Sequence, residues 1–392
     1  MNAAARAARV HQSLAAGRAR LAAAADEVLA RQIAIARVPS PTFSESRRAA
    51  LVAQRLEEAG WRVRLDDAGN VVARLHPSTE PAVAVCAHLD TVYATDDTPE
   101  VVRDRSIVRG SGICDNSRGL AGLIALADAL RAVPTAIPVE LVATTAEEGV
   151  GDLRGARHHV AEARPLALIA LDGAGDERIV TTALGARRFR VSYRGAGGHS
   201  WSARGMANPV QAAAHCAHRL AQLRPPAGAV LTVTRIGGGT TINAIAEDAW
   251  LDIDSRSTRE DELSRMVTDI RDAAEESVRH ENARRTAGDP LRLDIQQVGD
   301  RPCGHTPDDD PLVEAAVAAT GLVGRRPELC SSSTDASAAV AAGIPAIAIG
   351  AGGRGGDTHS ALEWFDATDA SRGLERALTI IATAARAGVS AP

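Results

Sequence analysis

Between about residues 45 and 171, short and wholly apolar segments alternate with helix-like segments. A strand that is apolar on both faces has to be covered on both faces, as in a parallel sheet whose connections are helices. The pattern therefore predicts an α/β domain with a mostly parallel sheet and helices on both faces. In chain order, the predicted elements are the helix ESRRAALVAQRLEEAG, the hairpin WRVRL–NVVARL, the strand AVAVCA, the helix SRGLAGLIALADAL, the strand IPVELVATT, the helix GARHHVAEA and the strand PLALIAL.

The pattern changes after residue 185, where half-exposed strands replace the apolar ones. Residues 186–298 follow the order β-α-β-β-α-β, which is that of a ferredoxin-like α+β unit. Helices and an apolar strand, IPAIAIG, resume after residue 298. We therefore predict a first domain built from residues 1–185 and 299–392, with a smaller domain, residues 186–298, inserted into it.

Composition argues against several classes of partner. The 392 residues carry a net charge of −5 and no basic stripe with interleaved aromatic residues, which argues against nucleic acid. No apolar run has the length of a membrane span, so no membrane contact is expected. The five cysteines form no C-x-x-C pair, which favours a reducing cytoplasm. The N-terminal stretch, rich in Ala and Arg, is interpreted as a surface helix rather than a transit peptide.

Polar side chains follow the predicted apolar strands at the points where these strands end. Because the carboxyl ends of parallel strands meet at one edge of a sheet, we expect these side chains to converge. So many carboxylates in one place would have to protonate unless cations neutralise them, and mixed imidazole and carboxylate ligands suit zinc, with manganese or cobalt as alternatives. The converging side chains are those of His88, Glu147, Glu148, Asp172 and His359, with Asp115 at the start of a helix.

Each of these residues also has an ordinary structural interpretation. His88 could be a loop histidine, Asp115 could cap a helix, and Asp172 could turn the chain. Their joint occurrence at the strand ends of one sheet favours a metal site. In His88-Leu89-Asp90, the carboxylate of Asp90 is then a candidate partner for the second imidazole nitrogen of His88.

A set of motifs resembles the co-catalytic di-zinc peptidases and amidohydrolases, a family that includes peptidase T, aminoacylase, glutamate carboxypeptidase and succinyl-diaminopimelate desuccinylase. The motifs occur in the family's order, from about residue 35 to the end of the chain. Two positions depart from relatives: the segment around Asp115 reads CDNSRG, where many relatives have Lys and Gly soon after the aspartate, and Asp172 stands where some relatives have Glu. The matching segments are AHLDTV, GSGICDNSRG, TTAEEG, ALDG, GGHS, STDASAAVAAGIPAIAIGAGG and THS.

The resemblance implies a role for each matching residue. It implies a catalytic first domain and an inserted domain that serves as a lid or for dimerisation, so a homodimer is expected. Two Zn²⁺ ions per chain are implied, with Co²⁺ or Mn²⁺ possible. The implied roles are His88 and Asp172 on one metal, Glu148 and His359 on the other, Asp115 bridging both, Glu147 as general base, Asp90 orienting His88, His199 reaching the reacting carbonyl across a dimer or by domain closure, and Asn243, Arg256, Gly352 and Gly353 contacting the substrate.

The function implied is hydrolysis of an amide or peptide bond next to a carboxylate, in a di- or tripeptide or an N-acyl amino acid. A hydroxide shared by the two metals would attack the carbonyl, with Glu147 as the base. Two alternatives are an N-carbamoyl or ureido amidohydrolase of the same family and a non-catalytic metal-binding relative. The segment GAGGRG also matches a dinucleotide-binding motif, but it leads into Asp357-Thr358-His359 and not directly into a helix, so we reject that interpretation.

Overall fold

The structure, a computed structural model, describes residues 3–93 and 99–386. The chain forms two units. Unit 1 comprises Met1–Ala183 and Gly304–Pro392, and unit 2 comprises Leu184–Cys303. The predicted insertion, residues 186–298, lies inside unit 2.

The helices and strands are numbered in chain order. The α-helices are α1 Ala3–Ser13, α2 Ala15–Ala23, α3 Ala25–Ala36, α4 Ser46–Glu58, α5 Ser117–Leu130, α6 Arg154–Ala163, α7 Pro209–Gln222, α8 Glu260–Arg284, α9 Pro311–Leu322, α10 Ala336–Ala341 and α11 Ser371–Arg386. The strands are β1 Arg62–Leu65, β2 Val71–Arg74, β3 Val83–His88, β4 Val102–Asp104, β5 Ile107–Arg109, β6 Val139–Thr144, β7 Ala167–Leu171, β8 Arg178–Ala183, β9 Gly185–Arg194, β10 Gly198–His199, β11 Val230–Gly238, β12 Ala244–Ile245, β13 Asp248–Ser257, β14 Arg292–Arg301, β15 Gly304–His305, β16 Glu328–Ser332, β17 Ala346–Ile349, β18 Arg354–Gly356 and β19 Trp364–Asp366.

The main sheet of unit 1 has four parallel strands at its centre, in the order β6-β3-β7-β17. The hairpin β1-β2 extends one side, with β2 antiparallel to β6, and β8 extends the other side antiparallel to β17, with β15 antiparallel to β8. Strand β16 pairs with β8 in parallel. The prediction of a mostly parallel α/β sheet is confirmed.

Strand β3 is apolar up to its last residue, His88, because both faces of the strand are covered. Val83 and Val85 belong to a core that also contains residues of α5 and α11, whereas Ala84 and Cys86 belong to a second core with residues of α6 and α10. Successive side chains of a strand point to opposite faces of the sheet, so both faces of β3 are covered by helices. Cys86 is therefore a core residue.

Unit 2 has an antiparallel sheet in the order β11-β13-β9-β14. Helices α7 and α8 connect its strands, and their apolar residues form one core with those of the sheet. This is the predicted β-α-β-β-α-β order. Two short strands, β10 and β12, pair with each other outside this sheet.

Some elements differ from the sequence-based prediction. The N-terminal stretch forms three successive helices, α1 to α3, where one helix is predicted. The sequence reasoning also missed β8, β16 and a small sheet in the order β18-β19-β5-β4. Strands of three residues carry too little pattern, and β5 pairs with β19 from a distant part of the chain. Among the described residues, no helix has the length and apolarity needed to cross a membrane.

Candidate metal centre and active site

The parallel strands deliver several predicted ligands to one edge of the sheet. His88 is the last residue of β3, and Asp172 directly follows β7. Glu147 and Glu148 follow β6 after a two-residue link. His359 lies in the loop between β18 and β19. The carboxyl ends of the parallel strands β3, β6 and β7 share one edge of the sheet, and the loop that carries His359 reaches the same edge.

Asp115 lies between two groups of these side chains. Its Oδ1 is 3.0 Å from Nε2 of His88, and its Oδ2 is 3.0 Å from Nε2 of His359. Asp172 Oδ1 is 4.0 Å from His88 Nε2. Glu148 Oε1 is 2.9 Å from His359 Nε2. The carboxylate of Asp115 therefore joins a His88–Asp172 group to a His359–Glu148 group. The structure thus brings all five predicted ligands together.

The helix after Asp115 does not use this carboxylate as its cap. The side chain of Asn116 accepts a hydrogen bond from the backbone N–H of Gly119 and so caps α5. Asn116 also donates to the carbonyl of Leu171, the last residue of β7. Both contacts fix the start of α5 while the side chain of Asp115 faces the two histidines.

The electrostatics of the cluster favour cations. Burial raises the pKa of Asp172 to about 7, and the charge of Asp115 adds to this rise. Hydrogen bonds to Asp115 and Glu148 raise the pKa of His359 to about 10. Burial alone would lower the pKa of His88, but hydrogen bonds to Asp115 and Asp90 hold it well above its ordinary value. The carboxylates therefore stabilise positive charge in the site. Imidazole nitrogens and carboxylate oxygens arranged in this way fit divalent metal ions.

Asp90 has contacts beyond the predicted one to His88. Its Oδ1 accepts a hydrogen bond from the backbone N–H of Glu147, and its Oδ2 accepts one from that of Glu148, both at 3.0 Å. Its Oδ2 also accepts a hydrogen bond of 2.9 Å from the hydroxyl of Thr42. Nδ1 of His88 is 3.6 Å from Oδ1 of Asp90 and 3.0 Å from its backbone oxygen. Nδ1 therefore faces Asp90, which leaves Nε2 to face the metal cluster.

The segment that carries Glu147 and Glu148 is held from two sides. Ala146 has a positive φ of 51°, and its N–H donates to Oε1 of Glu45 at 3.0 Å. Burial raises the pKa of Glu45. Glu147 is itself buried. The sequence reasoning missed Thr42 and Glu45 because their partners are distant in the chain, and neither residue follows an apolar strand.

Comparisons with known proteins give a family match over most of the chain. The model of Peptidase family M20/M25/M40 matches residues 84–383.

The chain belongs to Peptidase family M20/M25/M40. It is accordingly a hydrolytic enzyme of a metal-dependent peptidase and amidohydrolase family, as the motifs predicted. A comparison with curated protein sequences gives no match.

Three solved structures show the likeness of fold. An aminopeptidase PepT from Bacillus cereus is 20% identical, with a TM-score of 0.71 over 92% of this chain and 98% of that one. A tripeptidase from Staphylococcus aureus is 18% identical, with a TM-score of 0.76 over 91% and 97%. The di-peptidase Dug1p from Saccharomyces cerevisiae is 14% identical, with a TM-score of 0.74 over 95% and 98%. At these identities the likeness establishes the fold.

Three of the substrate-contact residues predicted for this M20-family chain, His199, Asn243 and Arg256, lie in unit 2, toward opposite ends of β13. His199 pairs with Ala244 across β10 and β12, and the N–H of Ser200 donates to the carbonyl of Asn243. His199 and Asn243 are therefore neighbours, and both are exposed. Arg256 lies near the other end of β13, where its Nε donates to Asp254 at 2.7 Å.

Gly352 and Gly353 have structural reasons to be glycine. Their φ angles are 88° and 76°, in the left-handed region that side chains rarely adopt. A Cβ at Gly352 would lie 2.1 Å from the carbonyl oxygen of Ala370, and one at Gly353 would lie 2.5 Å from the ring of Phe365. Both glycines are buried. Their contact with a substrate stays a prediction.

The glycine loop GAGGRG leads into β18 and not into a helix, which is consistent with rejecting a dinucleotide site.

Proposed function

We propose that this chain is a two-metal hydrolase that cleaves an amide or peptide bond next to a carboxylate, in a di- or tripeptide or an N-acyl amino acid. The observation that carries the proposal is the position of Asp115, whose two oxygens each lie 3.0 Å from a different histidine Nε2. One carboxylate between two imidazole–carboxylate groups is the arrangement that a bridging ligand requires.

Two Zn²⁺ ions per chain fit the donor set, with Co²⁺ or Mn²⁺ as alternatives. His88 and Asp172 would hold one ion, His359 and Glu148 the other, and Asp115 both. Bound divalent ions supply Lewis acidity, which polarises an amide carbonyl and lowers the pKa of water.

Glu147 is the residue that moves the proton. Glu147 is buried, and the carboxylate of the adjacent Glu148 faces His359. We assign metal binding to Glu148 and proton transfer to Glu147. Glu147 takes a proton from the attacking water on its carboxylate and passes it to the leaving nitrogen. The two hydrogen bonds from Glu147 and Glu148 to Asp90 hold their backbone in place for this transfer.

His199, Asn243 and Arg256 would bind the substrate, and their positions support a homodimer. Asp248 and Arg256 are eight residues apart on β13, roughly 26 Å at the usual rise of a strand. His199 and Asn243 lie beyond the Asp248 end of this strand. One chain therefore presents these contacts at two separate places. We infer that His199 and Asn243 contact the substrate that is bound by a second copy of the chain. For His199, this is action across a dimer, the first of the two alternatives that the resemblance implies.

The edge strand β11 offers a surface for this dimer. In the described residues β11 pairs with β13 on one side, and it exposes Val230 and Ile236. An exposed strand edge readily pairs with another chain.

An N-carbamoyl amino acid is the second substrate candidate. An amidase of the hydantoinase/carbamoylase family from Burkholderia vietnamiensis matches with a TM-score of 0.71, the same as the aminopeptidase PepT. A non-catalytic metal-binding protein would not need a general base, and this chain has Glu147 at that position.

A location in the reducing cytoplasm stays a prediction from the cysteine pattern.

The test is hydrolysis of a mixed panel by chelated protein that is resupplied with zinc, cobalt or manganese. The panel contains dipeptides, tripeptides, N-acetyl amino acids and N-carbamoyl amino acids. Metal-dependent release of an amine from peptides or N-acetyl amino acids supports the proposal. Release from N-carbamoyl compounds alone selects the second candidate, and metal binding without any hydrolysis contradicts both.

A further inference from the structure

Glu363 is a buried carboxylate that holds the backbone leading to Asp115. Its side chain is 0% exposed. Its Oε1 accepts hydrogen bonds from the N–H of Cys114 at 2.8 Å and of Asp115 at 2.9 Å, and its Oε2 accepts one from the N–H of Gly112 at 2.8 Å. Three N–H groups of one short loop therefore converge on a single side chain that is 248 residues away from Asp115 in the chain.

Further contacts fix this carboxylate and its own segment. The hydroxyl of Tyr93 is 3.2 Å from Oε2 of Glu363 and 2.7 Å from the carbonyl oxygen of Ser360. The backbone carbonyl of Glu363 accepts a hydrogen bond of 3.0 Å from the N–H of Gly110. The loop before Asp115 is thus tied to the segment around Glu363 through both side chain and backbone.

The same segment carries His359, four residues before Glu363. His359 faces Oδ2 of Asp115, so one stretch of chain supplies a predicted metal ligand and also holds the backbone of the predicted bridging ligand. A displacement of this stretch would move both partners of the His359–Asp115 contact.

We propose that Glu363 is a positioning residue that sets the backbone of residues 112–115 so that the two oxygens of Asp115 face His88 and His359. This inference rests on the proposed function, in which Asp115 bridges two metal ions.

The chemistry of the contacts explains why a carboxylate is needed. An ionised carboxylate only accepts hydrogen bonds, and both oxygens of Glu363 are used as acceptors. In a glutamine at position 363, an NH₂ group would replace one of the two acceptor oxygens. This NH₂ donor would then face a backbone N–H donor, and no hydrogen bond could form there. Burying another negative charge beside Asp115 is unfavourable in itself. The hydrogen bonds from the three N–H donors offset the free energy of burying this charge. A residue needed only for packing would be apolar and would not bury a charge.

The test compares Glu363→Gln with wild type by equilibrium titration with Co²⁺, following visible absorption, and by steady-state kinetics. We expect the second Co²⁺ ion to bind about 10–100-fold more weakly in the variant, with a similar fall in kcat. KM should stay close to the wild-type value. Glu363→Asp keeps both acceptor oxygens but is one methylene shorter, so it should bind with intermediate affinity.

A matched control separates positioning from general stability. Asp310 caps α9 through the N–H of Leu312 and is not part of the predicted site. Asp310→Ala should lower the melting temperature and leave Co²⁺ binding unchanged. The inference is overturned if Glu363→Gln and Glu363→Asp bind both ions as wild type does and lose only melting temperature. If Glu363→Gln does not fold, Glu363→Asp decides by the same criterion. Wild-type protein that binds fewer than two Co²⁺ ions would instead overturn the proposed function, and this inference with it.

Discussion

Replacing Asp90 with Asn tests how the segment of Glu147 and Glu148 is held. Asp90 is fully buried, and its carboxylate accepts hydrogen bonds from two backbone N–H groups and from Thr42. Hydrogen bonds and the charge of His88 outweigh its burial and hold its pKa below the ordinary value, so it is ionised at neutral pH. An Asn side chain has one acceptor oxygen and one NH₂ donor.

The size of the effect follows from these contacts. If the Asn oxygen keeps the contacts to Glu148 and Thr42, the N–H of Glu147 loses its acceptor. A buried donor without an acceptor costs about 1–3 kcal/mol. We therefore expect Asp90→Asn to lower the free energy of unfolding by this amount. The displaced Glu147 should reduce kcat by about 10–100-fold, as for other residues that orient a metal site.

The assay combines denaturant unfolding of the metal-free protein with steady-state kinetics of the metal-loaded enzyme. Thr42→Val is the matched control, because it removes one hydroxyl donor to the same carboxylate and leaves both backbone contacts intact. It should cost about 1 kcal/mol and leave kcat close to wild type. A wild-type kcat in Asp90→Asn would refute the reasoning, since the Glu147 segment would then not depend on this carboxylate.

Three further predictions follow from the site and from one buried histidine. Glu147→Gln should retain its metal ions, measured by elemental analysis, and lose about 10²–10⁴-fold in kcat, because the proton acceptor is gone; retained turnover would refute the assignment. Hydrogen bonds to neighbouring carboxylates raise the pKa of His359 to about 10, and burial raises that of Asp172 to about 7. Metal ligands bind deprotonated, so metal binding should release protons and the apparent affinity should fall as the pH falls. Calorimetry in buffers of different ionisation enthalpy measures this release, and identical heats in all buffers would contradict it. Burial lowers the pKa of His159 below 6.5, so the unfolded chain binds a proton there that the folded chain does not. The free energy of unfolding should therefore fall as the pH drops below about 6.5, and His159→Gln should weaken that dependence.

The central strands and the metal ligands could be predicted from the sequence for one physical reason. Strands buried on both faces are built mainly from apolar residues, as in β3, so a polar residue at the last position of such a strand or directly after it is conspicuous. His88 and Asp172 stand at such positions, and the parallel arrangement of their strands brings them together. The position of Asp115 at the start of a helix predicts that it joins the same edge, whereas its role as the bridging ligand is implied only by the resemblance of the motifs.

The residues that hold the ligands in place could not be predicted in this way. Glu363 and Glu45 act on backbone N–H groups of loops far away in the chain, and a backbone N–H leaves no mark on the sequence. The short strands β5 and β19 likewise depend on a distant partner and carry too few residues to show a pattern. The resemblance implies substrate contacts for Gly352 and Gly353, whereas the structure also explains them by tight packing and positive φ angles.

The most direct test of the account is the number of metal ions that one chain binds, and how that number depends on Asp115. Wild type and Asp115→Asn would be freed of metal with a chelator and titrated with Co²⁺ under the same conditions. We predict two ions per chain for wild type, with hydrolysis restored by the metal, and loss of at least one ion in Asp115→Asn, because an amide offers one oxygen where two are needed. Two ions bound equally tightly by both proteins would contradict the bridging role. A wild-type chain that hydrolyses its substrate without metal would contradict the account as a whole.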